Sequence, residues 1–334
     1  MATITDVARE AGVGIGTVSR VLNDSPLVSL ATRQRVVEAI ERLGYQPSPI
    51  ARAFGRRRTA KLEVLLPAFA HTFVLDLILG IQDGLADSDY TMLVRSVDHG
   101  DDRDRVFDEC CQRTRADGVL AVWMPPTDAF VDRLLAANVP AVLVNAQHPR
   151  LSSVGVDHDL AAQQAVAHCA RLGHRRMGLI DRRRDPFDGF SPGLLRAGYE
   201  RALAALGLGI PDGYARLAEP AAAAAATATN ELLGLAEPPT AILAAGVSLA
   251  VGTLESARAS GRRVPQDVSV VGYNETPLTR DLGMTTVRVP LRDLARIGTE
   301  MLLASIAESD AAPEVRCLPT ELVVRRTCAP PSVR

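Results

Sequence analysis

From Lys61 onward the sequence alternates between short, mostly apolar runs and longer amphipathic stretches, and this alternation restricts the fold more than any other feature. Strand candidates are Lys61–Leu66, Thr91–Arg95, Gly118–Val122, Ala141–Val144, Arg176–Ile180, Ala241–Ala245 and Val268–Gly272. Helical stretches lie between them, near 73–88, 104–115, 127–137, 159–172, 193–206 and 249–259. A short apolar strand must be covered on both faces, and helices returning between such strands supply the cover. The pattern therefore predicts parallel sheets in an α/β body. The alanine run Ala221–Ala226 falls inside this region and reads as surface helix, not linker.

The first sixty residues follow a different period. Thr3 and Asp6 form a capping pair ahead of the apolar stripe Ile4, Val7 and Ala8, which ends near Gly12. Beyond the turn Ala11–Gly14, Ile15–Leu22 makes a second short helix closed by Asn23. Ser29 caps a third, with Val36, Val37, Ile40 and Leu43 expected to face inward and Gly44 to end it. Two short helices across a glycine-containing turn, with a third completing the core, form a helix-turn-helix unit. In the segment that follows, Ser48 can cap a helix, Pro49 suits a first helical turn, and Gly55 stops it in under two turns. A helix that short needs DNA or a partner copy to order it.

Charge separates the two regions. Residues 1–60 carry nine arginines against five acids, a net +4, in a chain whose total is -2, which leaves -6 for the remainder. A basic head on an acidic body points to a polyanion partner for the head alone. The five cysteines are odd in number and show no metal-ligand spacing. No leader and no bilayer-length apolar run is visible, so a cytoplasmic protein with no membrane partner is expected. Dinucleotide, phosphate-loop, nucleophile-elbow and zinc-protease signatures are all missing, and Asp101 and Asp102 are merely adjacent. No enzyme, catalytic residue, metal or cofactor is expected.

The run Ile4-Thr5-Asp6-Val7-Ala8-Arg9-Glu10-Ala11-Gly12-Val13-Gly14-Ile15-Gly16-Thr17-Val18-Ser19-Arg20-Val21-Leu22-Asn23 resembles the head of the lactose-repressor/galactose-repressor family. So do Leu43-Gly44-Tyr45, the Pro-Ser-Pro-Ile-Ala-Arg segment after Gln46, Leu172-Gly173-His174, and Val264-Pro265-Gln266-Asp267-Val268-Ser269-Val270-Val271-Gly272-Tyr273. The resemblance spans residues 3–328 in one order and spacing. It implies a helix-turn-helix head over 1–46, a hinge helix and linker over 47–59, and a two-lobed, periplasmic-binding-protein-like sensor body with parallel sheets over 60–328. One lobe is expected to take about 60–157 plus 289–318, the other about 158–288 plus 319–328, with a tail over 329–334. It implies a homodimeric transcriptional repressor on a pseudo-palindromic DNA operator, working at the nucleoid and controlled by a small-molecule effector between the lobes.

Carried over by position, Ile15, Gly16 and Arg20 match recognition-helix positions facing the major groove, and Thr17 and Ser19 match positions near bases or phosphates. Arg20 can fork onto guanine or phosphate, or pair with Asp6; Ile15 can pack on a thymine methyl, or belong to the core. Thr5, Asn23, Ser48, Ala51 and Arg52 complete the expected DNA face, and Phe54 stands where relatives wedge a leucine into the minor groove. In the cleft the chain departs from the family. Leu195 replaces an arginine, Gly246-Val247 replaces an Asn-Asp pair, and Asn274 replaces a carboxylate. His71, Phe73, Trp123, Asn145, Asp157, Leu195, Val247, Tyr273 and Asn274 are the expected effector-binding set. With those charges lost, an effector less polar than a plain hexose is expected; the alternative is a vestigial cleft that binds no small molecule.

Phe54→Ala is expected to weaken operator binding while binding to scrambled DNA changes far less, as gel-shift titrations on both DNAs would show. Equal losses on the two would remove the wedge role.

Overall fold

The computed structural model describes residues 2–22, 25–45, 59–66, 73–97, 100–112, 115–183, 194–308 and 312–332. In the head, α1 (Ile4–Glu10), α2 (Ile15–Leu22) and α3 (Leu30–Leu43) pack around Val7, Ala8, Ala11, Val18, Val21, Val36, Ala39 and Tyr45. Local chemistry sets their ends. Thr3 and Asp6 close a reciprocal capping box, Gly12 turns the chain at φ 62°, Ser29 accepts from the Thr32 N–H, and Gly44 ends α3 in the left-handed region. One expected core position differs: Val37 is 42 % exposed while Ala39 is fully buried. Positions 36, 39, 40 and 43 share one helical face, and 37 lies about 100° away from 36. The proposed hinge helix lies outside the described residues.

Among the described residues the body contains two six-stranded sheets. The first orders β11 (Val315–Leu318), β5 (Ser152–Val156), β4 (Ala141–Val144), β3 (Gly118–Val122), β1 (Lys61–Leu66) and β2 (Thr91–Ser96), all parallel. The second orders β12 (Glu321–Val323), β10 (Thr285–Arg288), β9 (Ser269–Tyr273), β8 (Ala241–Ala244), β6 (Met177–Arg182) and β7 (Ala215–Ala218), parallel except for β12 against β10. Strands β5, β7, β10, β11 and β12 escaped the reading of the sequence, because they are short, polar or at an edge. The alanine run lies in and just before the helix Ala222–Leu233, whose first residues are exposed.

The chain passes between the sheets three times. It leaves β5 for the helix His158–Arg171, leaves β10 for the helix Leu291–Ala307, and leaves β11 directly for β12. Each departure is from the carboxyl end of a parallel strand, so the two lobes face one another at the ends where α/β sheets bind ligands. Beyond β12 the chain stays on the second lobe, with the Ala329 carbonyl 3.0 Å from His174 Nε2 and the Ala329 N–H donating to Ser269 Oγ at 3.2 Å.

The helix Leu291–Ala307 completes the first lobe by packing on the helix Val74–Leu85, and glycine permits the approach. A Cβ at Gly80 would fall 2.1 Å from the Arg292 carbonyl oxygen, and one at Gly298 would fall 2.6 Å from Val144 Cγ2. Both obstacles are parts of a close-packed interior that cannot swing aside. Gly80→Ala is expected to destabilise the body by about 1–3 kcal/mol, read from denaturant unfolding at unchanged m-value.

Candidate DNA-binding face and interlobe site

Helix α2 divides cleanly. Val18 and Val21 are buried in the head core, whereas Ile15 is 49 % exposed and Gly16 and Arg20 stand in solvent. Thr17 and Ser19 are half-buried at its borders, and Thr5 is exposed on α1. Asp6 does not take Arg20 as a partner. Its carboxylate accepts from the Thr3 hydroxyl at 2.7 Å and the Thr3 N–H at 3.0 Å, and it pairs with Arg9 at 3.3 Å. The hydrogen bonds from Thr3 hold the Asp6 carboxyl below its ordinary range. Arg20 is therefore left unpaired among the described residues, and Ile15 is not core. A Cβ built at Gly14 or Gly16 meets nothing within 4 Å, so the head itself does not require glycine there. Asn23, Ser48, Ala51, Arg52, Phe54 and His71 lie outside the described residues.

At the lobe junction three strands end alike. Trp123 after β3, Asn145 after β4 and Asn274 after β9 hold left-handed φ values of 55°, 54° and 70°. Such conformations cost about 1–3 kcal/mol each in non-glycine residues and cluster at ligand sites. Phe73 and Trp123 pack with ring centroids 4.7 Å apart. His158 bridges the lobes, with Nε2 3.2 Å from Asn145 Oδ1 and Nδ1 2.6 Å from the Tyr273 hydroxyl. Because the amide oxygen can only accept, Nε2 carries the ring proton and Nδ1 accepts from Tyr273. The Val156 N–H also donates to Asn145 Oδ1, at 3.4 Å. With its oxygen engaged twice, Asn145 is left presenting its NH2. Burial pushes the His158 imidazole down to about 4 and pushes the Tyr273 hydroxyl up.

Three polar atoms buried at these strand ends have no hydrogen-bond partner among the described residues: Trp123 Nε1, Asn145 Nδ2 and Asn274 Oδ1. Buried polar groups are nearly always satisfied, so unsatisfied ones at a junction call for a physical reason. The first lobe thus offers two neutral donors, and the second a neutral acceptor.

Other expected residues take different places. The Asp157 carboxylate caps the helix His158–Arg171, accepting from the Leu160 N–H at 2.9 Å. Leu195 is buried against a cavity of about 20 Å³ that Ala161, Leu243, Val271 and Tyr273 also line. Val247 is buried at the start of the helix Val247–Ala259, just after Gly246 at φ 123°.

Sequence reasoning missed His158, Asp181 and Glu275. Asp181, the penultimate residue of β6, is only 2 % exposed, and a carboxyl oxygen accepts from the Arg182 N–H at 2.8 Å. A buried acid thus remains in the second lobe, at a strand where no family position directed attention; an acid following the apolar run Met177–Ile180 was its visible signal. Glu275, next to Asn274, is gripped by Arg288 and Arg325. Burial opposes its ionisation, but the hydrogen bonds from the two arginines prevail and hold its carboxyl below the ordinary range. Among the described residues no group of three His, Cys, Asp or Glu could hold a metal ion, and no helix is long and apolar enough to cross a membrane.

Comparison with known proteins places these features. Residues 3–48 match the family model described as bacterial regulatory proteins, lacI family, and residues 166–328 match a periplasmic binding protein-like domain. The chain is 30 % identical over 330 residues to the HTH-type transcriptional repressor CytR of Escherichia coli K12, covering 97 % of this chain and 95 % of that protein. It is 31 % identical over 336 residues to the HTH-type transcriptional regulator CelR of Thermobifida fusca, covering 97 % and 98 %. A lac repressor dimer solved with operator and the anti-inducer ONPF superimposes with a TM-score of 0.81 at 26 % identity, over 98 % of this chain and 99 % of that one.

The His158 bridge carries a pH signature. Neutral in the folded protein, the ring takes up a proton on unfolding at any pH below about 6.5, so stability falls as pH drops from about 6.5 towards about 4, by up to roughly 3 kcal/mol. His158→Asn is expected to flatten that part of the acid limb, measured by urea unfolding at stepped pH. Burial also lowers His168 and His174, which leave a residual slope.

Proposed function

The chain belongs to the lacI family of bacterial regulatory proteins, and on that premise we propose that a neutral small molecule between the lobes controls its binding to DNA. The protein is a sequence-specific DNA-binding transcriptional regulator and has no catalytic role. It acts as a homodimer on an operator, because one small head buries too little surface to specify a site and two related heads read two half-sites. The observation that carries the DNA reading is α2, with Val18 and Val21 anchored in the core behind an open face of Ile15, Gly16 and Arg20, the last unpaired among the described residues. We assign that face, together with Thr5, Thr17 and Ser19, to the operator, and extend it to Asn23, Ser48, Ala51, Arg52 and Phe54. The functional division follows: residues 1–46 read DNA, 47–59 link, and 60–328 sense and dimerise.

For the effector, the Trp123 N–H, Asn145 NH2 and Asn274 carbonyl, unpartnered among the described residues, favour a molecule with two acceptors and one donor, its ring set against Phe73, Trp123 or Tyr273. A plain hexose would bury several hydroxyls with few partners here, at about 1–3 kcal/mol for each one left unpaired. A second reading has one specific support: Leu195 and Tyr273 close on a cavity of only about 20 Å³, as a cleft that binds nothing would.

The operator can be recovered by selecting sites bound by the full-length protein from random DNA. An inverted repeat is the expected product, and a single asymmetric half-site at saturation would overturn the dimeric reading. Calorimetry with nucleosides, aromatic metabolites and hexoses, each then titrated against the operator complex, is expected to find binding outside the hexoses. Asn274→Ala should weaken that binding by about 1–2 kcal/mol. Glucose or galactose binding that Asn274→Ala leaves unchanged would refute the effector reading, and an empty screen would favour the cleft that binds nothing.

A further inference from the structure

We infer that Asp117 is the positioning residue through which the sensor body aims the DNA-binding head, by clamping the chain where the linker enters β1. Its carboxylate accepts three hydrogen bonds from two consecutive residues. Oδ1 takes the Thr59 N–H at 2.7 Å and the Thr59 hydroxyl at 2.9 Å, and Oδ2 takes the Ala60 N–H at 2.9 Å. The opposite side of Ala60 is held too, since its carbonyl accepts from the Thr91 N–H at 3.0 Å, and the Asp117 N–H donates to the Lys61 carbonyl at 2.9 Å.

The clamp imposes a conformation that the chain would not choose. Ala60 sits at φ 53°, in the left-handed region that an alanine rarely enters. Hydrogen bonds to a carboxylate are the stronger kind, and three directed at one turn outweigh that cost. The direction in which the chain leaves the sheet toward the head is thereby fixed by one side chain of the body.

For a dimer on DNA that direction matters. Two heads must reach half-sites set apart by the helical repeat, and a linker free to pivot at its root dilutes the second head's effective concentration. Asp117 is also well placed to pass on the state of the sensor. It immediately precedes β3, a fully buried strand whose other end is followed by Trp123 at the lobe junction, about 20 Å away at strand rise. The aiming role requires only that the head bind DNA, and it stands whether or not the junction binds an effector.

The test compares full-length wild type, Asp117→Asn, Asp117→Ala and Thr59→Val on the selected operator and on scrambled DNA, by fluorescence anisotropy, with thermal unfolding of each. Asparagine keeps an acceptor for Thr59 but cannot accept from the Ala60 N–H, and valine at 59 removes the hydroxyl alone. Operator affinity is expected to fall about threefold in Thr59→Val, about tenfold in Asp117→Asn and further in Asp117→Ala, with scrambled-DNA affinity within about twofold of wild type. The melting temperature of the body should stay close to wild type in the two conservative variants, whereas a merely structural role would lower it and leave discrimination between the DNAs intact. Operator affinity within about twofold of wild type in Asp117→Asn, or equal losses on both DNAs, overturns the inference. If both Asp117 variants fail to fold, Thr59→Val decides alone: a folded variant with unchanged operator affinity refutes the clamp.

Discussion

Parallel strands cannot be joined by tight turns, and that restriction governs the body. Each strand must be left at its carboxyl end and re-entered from the opposite end of the sheet through a crossover. The same rule brings the three passages between lobes to the carboxyl ends of β5, β10 and β11. The lobes can therefore meet only across those ends, where Trp123, Asn145 and Asn274 each make a last N–H bond to the neighbouring strand, at Val144, Val154 and Val287. Trp123, Asn145 and Asn274, each the first residue after its strand, take up left-handed backbone there.

How much of this was legible in the sequence depended on whether a signal was local. Caps at Thr3 and Ser29, the turn at Gly12 and the stop at Gly44 are encoded within four residues of where they act, and the three head helices follow from them. Strands such as Gly118–Val122 announce themselves because burial on both faces demands an unbroken apolar run. Strands β11 and β12 do not, since Val-Arg-Cys-Leu and Glu-Leu-Val resemble loop as much as strand until a distant partner supplies the pairing. Val37 was misplaced for a related reason, because apolar character alone does not fix an angle around the helix.

The junction shows the same division. Family position led to Asn145, Tyr273 and Asn274, but His158 becomes meaningful only once the fold brings Asn145 and Tyr273 to its two nitrogens. Position also drew attention to lost charges at 195, 247 and 274 and away from Asp181, which keeps a buried carboxylate in the same lobe. In the second lobe the arginines gripping Glu275 come from 13 and 50 residues further along the chain. No window on the sequence would pair them, yet they hold the residue next to Asn274.

The first sheet takes its edge strand β11 and its covering helix Leu291–Ala307 from far beyond the second lobe. During synthesis, then, the head has all of its own core once Tyr45 has been made, while the first lobe remains open until Leu318 has been added. At ordinary ribosome speeds that interval lasts roughly tens of seconds. Through it the nascent chain carries a folded reader of DNA with no finished sensor behind it. The second lobe, which needs little from outside residues 158–288 until β12 arrives, must wait beside an unfinished neighbour. The order of translation thus makes the part that binds DNA first and the part that governs it last.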